Sequence, residues 1–230
     1  MLYEEAKWVG NMISKYFHSE ECILNLGSST KELRELRQPH MHEFIFEPAK
    51  LNNLHILHVD ISVGEGIDIV GDLTDPLFIQ LLKHKKPKGI LCCNLLEHLE
   101  DRRPFFNSFH ELLEQGAYAI ITVPYLYPYH LDPIDTLYRP SAQNLTNDLM
   151  GFKLIEAIQL KAKRKIYSNG KIYYQKNYFE QLKNDRKLFV KLILRSFLPF
   201  YKPKMWWITV RDLMRMHRTF NVTCIVAERI

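Results

Sequence analysis

The chain has 230 residues, of which 47% are hydrophobic and 25% charged, and this is ordinary for a globular protein. No apolar run approaches the roughly 20 residues of a membrane span, and the acidic, mixed sequence of residues 1–10 differs from a secretory leader. We therefore expect a cytoplasmic protein with no transmembrane segment. The net charge of +5 is unevenly distributed: residues 1–150 contain 13 Lys and Arg against 21 Asp and Glu, whereas residues 151–230 contain 18 against 5.

Hydrophobic periodicity predicts an N-terminal helix within residues 1–20, followed by strands that alternate with helices. Pro39 is expected to stop the helix that begins near Thr30, and Pro124 to close the fifth strand. The predicted strands cover residues 22–26, 55–61, 67–70, 89–93, 118–123, 153–158 and 221–227. The alternation predicts an α/β fold with a mostly parallel, seven-stranded sheet and helices on both faces.

These elements are expected to form one domain over residues 1–230. A cofactor-binding core covers residues 21–159, and the final strand lies within residues 221–230. Between them, residues 160–220 form a basic helical insertion or lid, whose central helix begins at Asn177 with Glu180 three residues on. Basic and aromatic residues alternate here, which suits a membrane interface, a sugar phosphate or single-stranded RNA; a solvated turn at 161–165 is the alternative.

Two strand ends point to a ribose-bearing ligand. The first strand ends in Gly27, where the backbone can pass close to a ligand, and Ser28 and Ser29 follow with hydroxyl groups. Asp60 ends the second strand, and a carboxylate there can accept hydrogen bonds from a ribose diol. This pair is shared with dinucleotide enzymes, so it does not name the cofactor.

Later motifs are more specific. Asp72 follows the third strand, and the fourth strand opens into CCNLLEHLEDRRPFF at 92–106. Together with residues 119–145, this stretch resembles the class I S-adenosylmethionine-dependent methyltransferases, and most of all their type 11 branch. The resemblance covers about residues 22–158 and continues in the final strand. It implies a Rossmann-like methyltransferase fold with S-adenosylmethionine (SAM) as cofactor and no metal.

The resemblance also implies a set of contacts for each part of the cofactor. The implied contacts are Asn25, Gly27 and Ser29 for the methionine part, Asp60 for ribose, Ile61, Asp72 and Leu73 for adenine, and Asn94 and Leu95 for the sulfonium end. The chain departs from the family pattern where Asn25 replaces an acidic residue and Ser29 replaces a glycine. Asn25 can still accept a hydrogen bond from an ammonium group, but without ionic attraction.

The residues expected to face the methyl acceptor follow the fourth and fifth strands. His130 is the first candidate for a general base and His98 the second; alternatively, His130 pins its loop through Asp132 or Asp135. Asp135, Tyr138 and Arg139 are the candidates for binding the acceptor, although Arg139 is equally expected to pair with Asp135.

The predicted function is methyl transfer to an oxygen or nitrogen of a small-molecule, glycan or lipid-linked acceptor. One alternative is a catalytically silent relative, favoured by Asn25. Another is a nucleic-acid methyltransferase, favoured by the basic C-terminal third. A nicotinamide oxidoreductase is disfavoured, because the Leu-Glu-His turn at 96–98 has no role there.

Overall fold

A computed structural model describes residues 1–127, 129, 134–162, 165–168, 171–174 and 220–230. By its internal contacts the chain divides into two compact units. The first comprises Tyr3–Ala162 together with Asn221–Ile230, and the second comprises Lys163–Phe220. Within the described part of the chain, no helix combines the length and the apolar character needed to cross a bilayer.

Nine strands are described, and seven of them form one sheet. They are β1 (Cys22–Leu26), β2 (His55–Asp60), β3 (Ile69–Val70), β4 (Gly89–Cys93), β5 (Tyr118–Leu126), β6 (Phe152–Ala162), β7 (Lys165–Ser168), β8 (Lys171–Tyr174) and β9 (Phe220–Arg229). The sheet order is β3-β2-β1-β4-β5-β9-β6. Strands β1 to β5 pair in parallel, and β9 runs antiparallel to β5. The predicted mostly parallel, seven-stranded sheet is confirmed.

Helices cover both faces of the sheet because the strand side chains alternate between two apolar clusters. The helices are α1 (Tyr3–Tyr16), α2 (Pro39–Met41), α3 (Glu47–Leu51), α4 (Pro76–Lys83), α5 (Arg103–Leu112) and α6 (Ala142–Asp148). On one face, Val9 and Ile13 of α1 pack with Ile23 of β1. On the other face, Phe109 of α5 packs with Leu24, the next residue of β1.

Two predictions about prolines have different outcomes. The π-helical turn Glu32–Arg37 ends before Pro39 as predicted, because Gln38 has a non-helical φ of −131° and ψ of 62°. Pro39 then begins α2, where its missing N–H is not needed, and short helical segments continue to Leu51, including a π-helical turn at His42–Phe46. The prediction for Pro124 was wrong, since β5 continues to Leu126 with a register shift between these two residues.

The region predicted as a helical insertion begins differently from the expectation. Strand β6 extends to Ala162, so residues 160–162 belong to the sheet. In the second unit, β7 and β8 form an antiparallel hairpin that was not predicted. The helix predicted to begin at Asn177 lies outside the described residues.

Candidate functional site

The candidate site lies at the carboxyl ends of the parallel strands. Chain order reverses between β1 and β4, whose other neighbours are β2 and β5. In open α/β sheets, ligands bind beyond the strand ends at such a switch point. We call the space between residues 27–30 and residues 94–98, which follow β1 and β4, the strand-end cleft.

Gly27 and Leu95 hold the two sides of the strand-end cleft against each other. Gly27 has a φ of +66°, a left-handed conformation that suits glycine. A Cβ atom on Gly27 would lie 2.7 Å from Cδ1 of Leu95. The absence of a side chain therefore lets Leu95 pack on the loop, and two residues from separate motifs come together.

Asp60 connects the first loop to the second. Its Oδ2 accepts a hydrogen bond from the Ser29 N–H at 2.8 Å, and its Oδ1 accepts one from the Ser62 N–H at 3.0 Å. A carboxylate offers about four lone-pair positions, so both oxygens can still accept from a ligand hydroxyl. The next apolar side chain, Ile61, is 69% exposed. A carboxylate beside an exposed apolar surface fits a ribose joined to a flat base.

Asp72 and Leu73 follow β3, the parallel neighbour of β2, so they lie at the same sheet edge as Asp60. The Oδ1 atom of Asp72 accepts from both the N–H and the hydroxyl of Thr74, each at 2.8 Å. Leu73 packs against the core. The loop is thus ordered locally, with the Asp72 side chain exposed at its surface.

Asn25 is paired within the protein. It is buried at the end of β1, and its Nδ2 lies 3.0 Å from Nδ1 of His58 on the neighbouring strand. Burial lowers the pKa of His58 to about 4, so the neutral ring can accept this hydrogen bond at pH 7. The amide nitrogen is therefore used, and the Asn25 oxygen is the atom suited to accept from a ligand.

Arg34 anchors the first loop from beneath. Its guanidinium donates to the carbonyl oxygens of Ser28, Ser29 and Gly66, with the Gly66 bond at 2.6 Å. Burial lowers the pKa of this arginine. A buried cation thus positions the loop after β1.

Asn94 connects the turn after β4 to the N-terminal helix. It has a φ of +51°, and its Nδ2 donates to Oε1 of Glu5 at 2.7 Å. The same oxygen accepts from the Thr122 hydroxyl at 2.6 Å. Glu5 itself is fully buried. A carboxylate from α1 therefore lies beneath the strand-end cleft.

Glu97 is the least expected group in the turn. It is only 1% exposed, and among the described residues neither carboxyl oxygen has a hydrogen-bond partner. Burial, reinforced by the charge of Glu5, raises its pKa to about 7. An unpaired buried carboxyl group is costly, and perturbed groups of this kind are concentrated at functional sites.

His98 follows Glu97 and has a defined tautomer. Its Nδ1 contacts the carbonyl oxygen of Ile134, which can only accept, so Nδ1 carries the proton. In the neutral ring the lone pair is then on Nε2, which lies 3.8 Å from Oε1 of Glu97. His98 thus has the arrangement of a general base beside a carboxyl group.

Asp135 and Arg139 form the predicted ion pair. Nη2 of Arg139 lies 2.7 Å from Oδ2 of Asp135, and both side chains are largely buried. Among the described residues, Nε of Arg139 has no partner. His130 and Asp132 lie outside the described residues, so the role of His130 stays a prediction.

Tyr138 lies in a different place from the other candidates. Its hydroxyl donates to Asp148, and the Arg102 guanidinium lies 4.2 Å from its ring centre. It lines a groove of about 940 Å³ formed mainly by residues of α5 and α6. Of the described residues predicted for the site, Tyr138 alone lines this groove.

Four residues of the site were missed by the sequence interpretation: Glu5, Arg34, His58 and Glu97. Two of them carried a signal in the sequence. Glu5 shares the buried stripe of Val9 and Ile13 at intervals of four residues, which marks a charged group on an apolar face. Glu97 interrupts the apolar run of the Leu-Glu-His turn. His58 and Arg34 needed the strand pairing.

No protein-family model and no curated protein matches this sequence. Solved structures resemble it in fold. A SAM-dependent methyltransferase from Archaeoglobus fulgidus is 15% identical, with a TM-score of 0.51 over 97% of this chain and 94% of the other. Coclaurine N-methyltransferase bound to N-methylheliamine and SAH is 12% identical, with a TM-score of 0.52 over 97% of this chain and 70% of the other.

The same fold also occurs with another activity. The (4+2)-cyclase SpnF is 12% identical, with a TM-score of 0.51 over 97% of this chain and 80% of the other. The predicted Rossmann-like methyltransferase fold is confirmed by these comparisons. The fold does not determine the reaction, which has to be argued from the residues of the strand-end cleft.

Proposed function

We propose that this protein is a SAM-dependent methyltransferase that binds its cofactor in the strand-end cleft. The observation that carries the proposal is the meeting of three elements at the switch point. These are the Gly27 loop, the Asp60 carboxylate and the Asn94 turn, joined by the Gly27–Leu95 contact and the Ser29–Asp60 hydrogen bond. When bound, SAM supplies a methyl group already activated by its sulfonium.

The residues present fit each part of this cofactor. Asp60 binds the ribose diol through the remaining lone pairs of its carboxylate. Exposed Ile61 packs on the adenine, with Asp72 and Leu73 on the neighbouring loop. The Gly27 loop takes the methionine part, helped by the Asn25 oxygen. Asn94 and Leu95 lie beneath the sulfonium end.

His98 is the base that the described residues favour. The methyl carbon bonds to an oxygen or nitrogen of the acceptor as its bond to sulfur breaks, which requires these three atoms in line. The proton lost by the acceptor passes to Nε2 of His98, with Glu97 beside the charge that develops. His130 is the second candidate for this role.

The acceptor we propose is a small-molecule, glycan or lipid-linked alcohol or amine. Arg139 supports an anionic group on it, because its Nη1 and Nη2 atoms carry two further N–H groups besides those that donate to Asp135 and to the Tyr138 carbonyl oxygen. The basic residues within 160–220 support contact with an anionic surface.

Calorimetry with SAM and with S-adenosylhomocysteine (SAH) tests the cofactor. The proposal fails if neither binds at millimolar concentration. Transfer of a labelled methyl group from SAM to amines, alcohols, sugars and lipid-linked sugars then tests the reaction. His98→Ala should lower transfer at least about 100-fold while cofactor binding is kept. His55→Ala, at an exposed histidine paired with Glu20, is the matched control.

Two other functions are each favoured by one observation. A silent SAM-binding module is favoured by Asn25, whose amide is bonded to His58 and carries no charge. Cofactor binding without transfer to any acceptor would support it. A nucleic-acid methyltransferase is favoured by the basic residues 151–230, and RNA binding that falls steeply with salt would support that function.

A further inference from the structure

Glu5 brings a negative charge to the strand-end cleft from outside the sheet. It projects from α1, is fully buried, and accepts hydrogen bonds from Asn94 and Thr122 through one oxygen. A carboxylate fully removed from water is destabilising unless its surroundings compensate it. Leu, at the same place on the apolar stripe of α1, would pack without that penalty. The burial of Glu5 therefore places a negative group directly beneath the Asn94 turn.

The hydrogen bond to Glu5 fixes the orientation of the Asn94 amide. Because Nδ2 donates to Glu5, the amide oxygen occupies the other branch of the planar group. A donor bonded to a carboxylate is polarised, so the amide oxygen becomes a stronger acceptor. Asn94 remains half-buried, and the Gly27–Leu95 contact keeps its turn beside the first loop.

Next to the methionine part, an amide stands where an acidic residue is expected at the end of β1. The residue expected to balance the positive methionine part is Asn25, which is neutral and bonded to His58. The buried Arg34 beneath the same loop adds positive charge. On this side Asp60 and Asp68 lie close enough to offset part of the Arg34 charge, and on the side of Asn94 the Glu5 carboxylate adds a further negative charge.

We propose that Glu5 is a positioning residue that makes the cleft selective for a cationic ligand. Through Asn94 it directs an amide oxygen toward the sulfonium, and its own charge stabilises the sulfonium through space. The inference rests on the proposed function, because the cation it explains is SAM. It adds that the N-terminal helix raises the affinity for SAM relative to its neutral thioether product, SAH.

The test compares the affinities of the two ligands. Glu5→Gln keeps the size and an oxygen for both donors but removes the charge. The ratio of the SAH to the SAM dissociation constant should fall about fivefold or more in calorimetry, since only SAM carries the sulfonium charge. Thr122→Val is the matched control; it removes the other bond to Glu5, keeps the charge, and should leave the ratio unchanged.

A second variant keeps the test possible if Glu5→Gln does not fold. Asn94→Gly removes the amide while glycine suits the positive φ, and it should also lower the ratio. A ratio that stays at the wild-type value in both variants overturns the role of Glu5 and leaves the proposed function standing. If the wild type binds neither ligand, the proposed function fails, and the role of Glu5 fails with it.

Discussion

Glu97 is held in an environment that disfavours its charge. Its pKa of about 7 lies above the ordinary value of 4.5 because the group is buried. The folded chain therefore retains a proton between about pH 4.5 and 7 that the unfolded chain has lost. Since the folded state then binds more protons, the free energy of unfolding falls as pH rises through this window, by up to about 3 kcal/mol.

Glu97→Gln should remove this pH dependence. Urea unfolding at pH 5 and at pH 8 gives the free energy of unfolding for both chains. As pH rises from 5 to 8, the free energy of unfolding of the variant should rise by about 1–3 kcal/mol relative to that of the wild type, because the amide cannot ionise. An equal pH dependence in the two chains would contradict this. Methyl transfer should fall about tenfold or more, since the carboxyl group next to His98 is lost.

Asp60 organises the protein and, in our proposal, also binds the ribose. Asp60→Ala removes the acceptor of the Ser29 and Ser62 N–H groups together with the ribose contact. The dissociation constant of SAM should rise about 100-fold, which corresponds to roughly 3 kcal/mol of lost hydrogen bonding. Calorimetry measures it, with Glu65→Gln at an exposed position of the following loop as control. An unchanged affinity would remove Asp60 from the cofactor site.

Single residues show where sequence interpretation succeeds and where it stops. Gly27, Asp60 and Asn94 could be placed at one edge of the sheet, because each lies at the carboxyl end of a strand of the same parallel set. The partners of these residues could not be predicted. Asn25 meets His58 only through the register of β1 and β2, and Glu5 meets Asn94 across 89 residues. Such contacts depend on packing that local periodicity does not encode.

At the level of elements, hydrophobic periodicity was sufficient to locate the seven strands of the large sheet and the N-terminal helix. Strand β4 has the predicted bounds, because the apolar run at 89–93 marks its ends. The helical path from Pro39 to Leu51 was not predicted, nor was the π-helical form of the turn before it. There, α-helical and π-helical turns alternate, so no single period describes the apolar positions.

Helix α1 packs closely on this irregular path. A Cβ atom at Gly10 would overlap the carbonyl oxygen of Phe44, so glycine allows the two segments to touch. Gly10→Ala should lower the free energy of unfolding by about 2 kcal/mol, since the segments have to move apart. Ser14→Ala, at an exposed position of the same helix, should change it by less than about 0.5 kcal/mol. Urea unfolding measures both, and equal effects would contradict the contact.

Gly10→Ala also tests whether the packing of α1 positions the strand-end cleft. Because α1 carries Glu5, its displacement should also weaken SAM binding, even though Gly10 lies outside the strand-end cleft. Ser14→Ala should leave the affinity unchanged. If Gly10→Ala destabilises the fold but binds SAM like the wild type, α1 does not position the cleft.

For the whole molecule, charge distribution is the property that sequence alone predicts best. Residues 1–150 have an acidic excess of eight and residues 151–230 a basic excess of 13. A basic region of this size favours contact with an anionic surface. A lipid-linked acceptor lies at such a surface, where each basic residue contributes about 1 kcal/mol of attraction to anionic lipid.

Cosedimentation with vesicles tests whether the basic region binds anionic lipid. The protein should bind vesicles containing phosphatidylserine, should not bind pure phosphatidylcholine, and should be released at about 1 M salt because the charges are screened.

A variant with four basic residues changed to Gln should bind at least about tenfold more weakly. The changed residues are Lys161, Lys163, Arg164 and Lys165. The matched control changes four lysines of the first unit, Lys83, Lys85, Lys86 and Lys88, which are all exposed. If both variants lose the same affinity, net charge alone attracts the membrane and the position of the basic residues has no role. If the wild type binds single-stranded RNA but no vesicle, the acceptor is to be sought among nucleic acids.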